Sequence, residues 1–195
     1  LAKTEEEAIS MAKEVGFPIV MKIVSPEILH KSDAGGVKVN IKDEASCREA
    51  YNTIIENAKA YNPDANIHGI AIQEMAPWGT EVILGSVNDA TFGPTMMFGL
   101  GGIFVEVLKD VASGLAPLSF DEATTMIESL KSYKILKGFR KQPGVNLPQF
   151  TEIIVRLSSL LRFATEIKEM DINPLLGDEN HILAVDARIR IEKSA

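Results

Sequence analysis

The chain has 195 residues, 46% of them apolar, and a formal net charge of −7 with a pI near 5.1. That is enough apolar chain to core one domain or two small ones, and the acidic balance argues against nucleic acid or an anionic membrane surface as the main partner. The apolar runs are short and interrupted, no signal-peptide pattern opens the chain, and the single cysteine, Cys47, cannot form an internal disulfide; the expectation is a soluble protein of a reducing cytoplasm.

Thr4 with Glu7 predicts a capping box that opens a helix striped by Ala8, Met11 or Ala12, and Val15, and ended by Gly16 and Pro18. Residues 18–24 read as a buried strand containing Lys22. A lysine inside an apolar strand costs free energy unless it meets an anion, so Lys22 is either a phosphate ligand or a side chain snorkelling at the strand end. The loop 25–36 carries His30-Lys31-Ser32-Asp33-Ala34-Gly35-Gly36. Its paired glycines would let backbone amides close on a ligand, with Lys31 and Ser32 as further donors, which is what a phosphate-covering loop needs. A strand over 37–41, a helix from Asp43 to about Ala60 in which Cys47 is a buried or half-buried thiol, and a strand from Ile67 to Met75 follow. After Gln73-Glu74-Met75 the chain changes to mainly strands, which sets a subdomain boundary between 1–75 and 76–195.

The second half opens on a hairpin, Thr80 to Val87 and Thr95 to Phe98, and continues through Gly101-Gly102 into a strand containing Glu106. Another strand is expected between Val111 and Leu118. Ser119 with Glu122 caps a helix to about Ser132, and a last helix from about Gln149 to Ile167 carries the stripe Phe150, Ile153, Ile154, Leu157, Leu160, Leu161 and Ala164. The stretch 171–188 reads as a β-hairpin, because Gly177-Asp178-Glu179-Asn180 is dense in turn formers between apolar segments. A turn centred between Asp178 and Glu179 would set Asp186 opposite Asp171 and Ala184 opposite Asn173. Asp171, Asn173 and Asp186 would then share one face as three hard oxygen donors suited to Mg²⁺ held partly by protein and partly by phosphates, while Ile172, Leu183 and Val185 bury the other face.

The succession Val20-Met-Lys22, His30-Lys-Ser-Asp-x-Gly-Gly36, Gln73-Glu-Met, Gly79-Thr-Glu81, Phe92-Gly-Pro, Phe98-Gly-x-Gly-Gly102, Val105-Glu106, Ala116-Pro-Leu, Asp171-Ile-Asn-Pro-Leu175 and Val185-Asp-Ala-Arg188 resembles the ATP-grasp module of ADP-forming acetyl-CoA synthetase (acetate–CoA ligase), a relative of the succinyl-CoA synthetase β-subunit. The resemblance implies an α+β ATP-grasp fold in which two subdomains grip ATP between antiparallel sheets, the first lacking its usual opening helix and strand. It further implies Lys22, with Ser32, Gly35 and Gly36, on the phosphates; Gln73, Glu74 and Met75 as the hinge against adenine; Glu81, by analogy of spacing, on the ribose; and Asp171, Asn173 and Asp186 around Mg²⁺. His30, beside Lys31, becomes a candidate phosphate carrier, or else a loop histidine that only hydrogen-bonds phosphate. Glu106 becomes a nucleotide or phosphohistidine contact, or a strand-edge acid.

The activity implied converts a small carboxylic acid, CoA and ATP into acyl-CoA, ADP and phosphate through acyl phosphate. The implied partner is a CoA-binding α-type subunit or domain carrying a phosphohistidine, within a hetero- or homo-oligomer. A ligase-like regulatory domain of a protein lysine acetyltransferase is the alternative, and a purely structural interaction module is a third. The chain departs from the family pattern at Ser113 and Gly114, where an arginine usually closes the run, and at Lys141, where a glycine is usual.

Overall fold

The computed structural model describes residues 1–76, 79–102, 109–140 and 143–192, which form two compact units, Leu1–Met75 and Ala76–Ala195. In the first unit α1 (Glu5–Val15) starts where the Thr4 hydroxyl accepts the Glu7 N–H at 3.2 Å, and the Glu7 carboxylate reaches back to the Lys3 N–H at 2.7 Å, one residue before a strict capping box. Ala8, Ile9 and Ala12 form its buried stripe, whereas Val15, expected inside, is exposed. α2 (Glu44–Tyr61) begins with a full reciprocal box between Asp43 and Ser46. It carries Cys47 buried against Met21, where burial and then the Glu44 carboxylate push the thiol pKa up and keep it unreactive.

Both helices cover one face of a three-stranded antiparallel sheet in the order β2 (Val37–Ile41), β1 (Ile19–Val24), β3 (Gly69–Glu74). The alternation of β1 decides its two faces: Ile19, Met21 and Ile23 join the core with Ala8, Ala12, Ile54 and Ala58, so Val20 and Lys22 fall on the face turned away from the helices.

The second unit contains β4 (Thr80–Asp89), β5 (Gly93–Leu100), β6 (Val111–Leu115), α3 (Phe120–Ser129), α4 (Tyr133–Leu136), α5 (Leu147–Phe163), β7 (Ile167–Gly177), β8 (Ile182–Ala184) and β9 (Ala187–Ile191). Its antiparallel sheet runs β6-β5-β4-β7, and both β8 and β9 pair with β7. One face carries Val82, Leu84, Met96, Phe98, Ala112 and Leu175 against Ile127, Phe150, Ile154 and Leu161, with the Phe98 and Phe150 rings edge to face at 5.8 Å.

Two helices differ from expectation for polar reasons. The helix expected to reach Ser132 stops at Ser129, because the buried Asp110 carboxylate accepts the Lys131 and Ser132 N–H groups at 3.0 and 2.7 Å and so holds the corner into α4. In α5 the buried stripe includes Thr151 and Ser158, while Leu160 is exposed. Ser158 can enter the core because its hydroxyl accepts the Leu118 N–H at 3.0 Å and donates to the Val155 carbonyl at 2.8 Å.

The hairpin register also differs. Asp171 lies opposite Arg188 and Leu175 opposite Ala184, a slip of two residues from the expected pairing. The cause is the Asp178 carboxylate, which accepts the N–H groups of Asn180 and His181, both at 2.7 Å, and so moves the tip of the turn to Glu179-Asn180. Leu183, expected to be buried, is half exposed. On its other side β7 contains a bulge: Val82 pairs with Leu175 but Leu84 with Ile172, one extra residue on β7. The bulge flips the alternation, so Met170 and Ile172 before it and Leu175 after it all turn to the helices.

Candidate functional site

In the first unit Lys22 sits mid-strand on β1, between Val37 of β2 and Ala71 of β3, and is only 8% exposed. A side chain so placed is not snorkelling from a strand end. An ammonium taken that far from water has to meet an acceptor, and Lys22 stays a candidate for contact with phosphate.

The loop after β1 corrects one expectation. The Gly35 N–H donates to the Ser32 carbonyl at 3.0 Å and the Gly36 N–H to the Lys31 carbonyl at 2.7 Å, so both amides are engaged within the loop. The glycines serve close packing instead. Gly35 has φ +60° and its carbonyl accepts the Asn57 side chain at 3.1 Å, while a Cβ on Gly36 would lie 2.4 Å from Ile23 Cγ2. They fold the loop onto α2 and β1 and leave His30 and Ser32 exposed and Lys31 half-buried. The His30 ring has no hydrogen-bond partner among the described residues; its backbone carbonyl accepts the Ala34 N–H at 3.2 Å. At the end of β3, Gln73 and Glu74 are exposed and the Met75 N–H donates to the Pro18 carbonyl at 3.3 Å.

In the second unit the residues expected at the site fall on the sheet face turned away from the helices. The pairings lay out a row across four strands and the edge: Ser113, Met97, Gly85, Asp171, Arg188. The next row is Leu115, Thr95, Val87, Glu169, Arg190, with Arg190 in an ion pair with Glu169 at 3.4 Å. Asn173 donates its N–H to the Asp186 carbonyl at 3.1 Å, so Asp186 lies across from Asn173 and diagonally from Asp171 rather than opposite it. The slip of two residues preserves strand parity and keeps the three oxygen donors on adjoining ladder positions. Among the described residues no three or more His, Cys, Asp or Glu side chains cluster as a metal cage. The donor set fits a hard cation that completes its shell with water or phosphate oxygens, as Mg²⁺ does.

Glu81, exposed on β4, is embraced by the glycine pair beyond β5. The Gly101 N–H donates to the Glu81 carbonyl at 2.8 Å, and a Cβ on Gly102 would lie 2.6 Å from the Glu81 carboxylate. Sequence reasoning treated Glu81 and Gly101-Gly102 separately; the hairpin register that pairs Val82 with Leu100 was the signal that joins them. Glu106 and Lys141 lie outside the described residues. Gly114 faces the helices, where a Cβ would come within 2.6 Å of Met126 Sδ, so the absent arginine is a matter of that packed side and not of the open face.

The family model for the ATP-grasp domain matches residues 1–191. The chain belongs to the ATP-grasp domain family. Within it, the chain stands with the ADP-forming acetate–CoA ligases. It is 51% identical over 189 residues to the β subunit of ADP-forming acetate–CoA ligase I of Pyrococcus furiosus, covering 97% of this chain and 82% of that subunit. It is 51% identical over 176 residues to the ADP-forming 4-hydroxybutyrate–CoA ligase of Nitrosopumilus maritimus, covering 90% of this chain but 25% of that protein. The structure of the dinucleotide-forming acetyl-coenzyme A synthetase 1 of Ca. Korarchaeum cryptofilum, in complex with coenzyme A, Ca-AMPCP and HgCl⁺, superposes with a TM-score of 0.93 at 49% identity, over 98% of this chain and 84% of that one. The same enzyme with coenzyme A and Mg-AMPPCP, its phosphohistidine segment pointing towards the nucleotide-binding site, gives a TM-score of 0.80 at 44% identity, over 97% and 83% of the two chains. These ATP-grasp relatives are ligases and give the acetyltransferase-regulator alternative no support. Among the described residues no helix is long and apolar enough to cross a membrane.

Proposed function

We propose that this chain is the ATP–Mg²⁺-binding, phosphoryl-transferring module of an ADP-forming acid–CoA ligase, its two compact units serving as the N- and C-terminal ATP-grasp subdomains. The observation that carries the reading is the hairpin that brings Asp171, Asn173 and Asp186 to adjoining positions on the open side of the β7 ladder. The reaction joins a carboxylic acid to CoA while ATP is split to ADP and phosphate, by way of acyl phosphate and a phosphohistidine.

The chain's own part is positioning and charge. Lys22 meets phosphate oxygens, and the exposed Ser32 hydroxyl and the Lys31 ammonium donate to them from the loop. Gln73, Glu74 and Met75 hold the adenine, and Glu81 accepts from the ribose hydroxyls. Mg²⁺, when bound at Asp171, Asn173 and Asp186, supplies neutralisation of the charge on the β- and γ-phosphate oxygens. His30 stands on the loop as the group that takes or relays the phosphoryl. The acid and CoA are handled by a CoA-binding α-type subunit or domain, a reading supported by the quarter share this chain has of the single-chain relative. The location that suits such an enzyme is the cytoplasm.

Calorimetric titration of the chain with AMPPCP tests the assignment. Binding that strengthens with Mg²⁺ is expected, and folded protein that gives no heat with or without Mg²⁺ would overturn it.

A further inference from the structure

We infer that Gly85 is a positioning residue, the bare spot of sheet that lets the cation-bound phosphates come down beside Asp171. The inference rests on the nucleotide-module reading and extends it to a residue with no donor, acceptor or charge of its own. Gly85 lies in the middle of β4, directly across from Met97 on one side and Asp171 on the other. A glycine inside a strand gives up conformational entropy and packs nothing, so its presence calls for a local cause.

The described residues do not provide one. The backbone of Gly85 is not left-handed, and a Cβ built on it meets nothing nearer than the Met170 carbonyl oxygen at 3.4 Å, an ordinary contact. Gly99 on the same face is the contrast: there a Cβ would lie 2.4 Å from the Asp110 carbonyl oxygen, so packing alone demands glycine. The neighbours of Gly85 along β4, Ile83 and Val87, carry full β-branched side chains on the face that Gly85 leaves bare. The missing side chain therefore clears space above the sheet and not within it. That space adjoins the Asp171 carboxylate, since facing residues of an antiparallel pair are about 5 Å apart. A metal–triphosphate is bulky and rigid in its coordination, and a methyl or isopropyl group at Gly85 would stand in its first layer of contacts.

The test compares Gly85→Ala and Gly85→Val with the parent chain, titrating AMPPCP with and without Mg²⁺ and following thermal unfolding. The expected result is a melting temperature unchanged or raised, with Mg²⁺-dependent affinity reduced by about tenfold in Gly85→Ala and more in Gly85→Val, the scale of overpacking a close-fitting site. Val87→Ala, one row away, leaves affinity near that of the parent. Gly85→Ala and Gly85→Val binding Mg-AMPPCP like the parent would overturn the role of Gly85 and leave the nucleotide reading standing. A parent chain that is folded and binds no nucleotide overturns both. A loss of affinity in Gly85→Ala that comes with a lowered melting temperature and is the same without Mg²⁺ also overturns it, because that pattern belongs to a merely structural glycine.

Discussion

His30 separates two chemistries that occupy the same loop. A group that only binds phosphate needs a donor, which asparagine can supply, whereas a phosphoryl carrier needs the ring nitrogen. In the complete enzyme with its CoA-binding partner, His30→Asn is expected to keep nucleotide affinity and to lose acyl-CoA formation by on the order of a hundredfold or more. Steady-state turnover close to that of the parent would assign the histidine to binding alone. For the metal ligands, Asp171→Ala and Asp186→Ala are each expected to weaken nucleotide binding in Mg²⁺ by at least about tenfold with little change in melting temperature, since half-buried and exposed-side carboxylates contribute little to the core. A loss that is equal in Mg²⁺-free buffer would rule out the shared cation.

Asp110 makes a different prediction. Burial raises its pKa, but the hydrogen bonds from Ser132 and Lys131 outweigh that and leave it below the usual aspartate range. A depressed folded-state pKa stabilises the fold above the unfolded value of about 3.9 and loses that contribution as pH falls through the lower, folded value. Melting temperature should thus drop more steeply with acidification in the parent than in Asp110→Asn, measured from pH 5 downward. The burial of Lys22 was legible in the sequence because it stands inside an apolar strand. The Gly35-Gly36 pair was not, because a glycine looks the same whether it frees an amide for a ligand, permits a positive φ or avoids a neighbour's methyl.

At the scale of elements, the starts of α1, α2 and α3 were the most readable feature, since each depends on a hydroxyl or carboxylate a fixed distance from the N–H groups it satisfies. Ser119 accepts the Glu122 N–H at 3.2 Å while the Glu122 carboxylate takes the Ser119 N–H at 2.8 Å. Ser119→Ala is expected to cost about 1 kcal/mol of stability, read as a lower denaturation midpoint at unchanged slope, with nucleotide affinity unaffected. The extent of the helices was less readable. The end of α3 is set by Asp110, 22 residues from the Ser132 N–H it accepts, and the stripe of α5 admits Ser158 because Leu118 offers it an N–H. Hairpin register failed for a similar reason: composition locates a turn, but which residue forms its tip depends on the Asp178 side chain choosing two particular amides.

For the whole molecule, each compact unit has a hydrophobic core of its own, built on Ile19, Met21, Ile54 and Ile70 in one and on Leu84, Phe98, Phe150 and Ile154 in the other. The second unit's sheet keeps Met97, Val111 and Leu115 exposed on the side away from its helices. Ligand binding that covers such a surface should show a negative heat-capacity change, measurable by titration at several temperatures. The chain by itself is expected to bind Mg-nucleotide and to form no acyl-CoA; adding the CoA-binding partner should bring turnover, followed as ADP release dependent on both acid and CoA. Acyl-CoA made by the chain alone would refute the division of labour.

The bulge in β7 makes that strand a device for changing phase. Before it, even-numbered residues go to the helices and Asp171 to the open side; after it, odd-numbered residues do. Removing one residue at 173–174 would abolish the bulge and leave Leu175 inward opposite Val82, yet put β7 one residue out of step with β8 and β9, where Leu175 now pairs with Ala184 and Ile172 with Ala187. Such a deletion should damage the protein more than any single substitution in the strand, whereas the turn at Glu179-Asn180 has room for added length. Spacing along β7 is thus itself a part of the site, as much as the identity of the acids it carries.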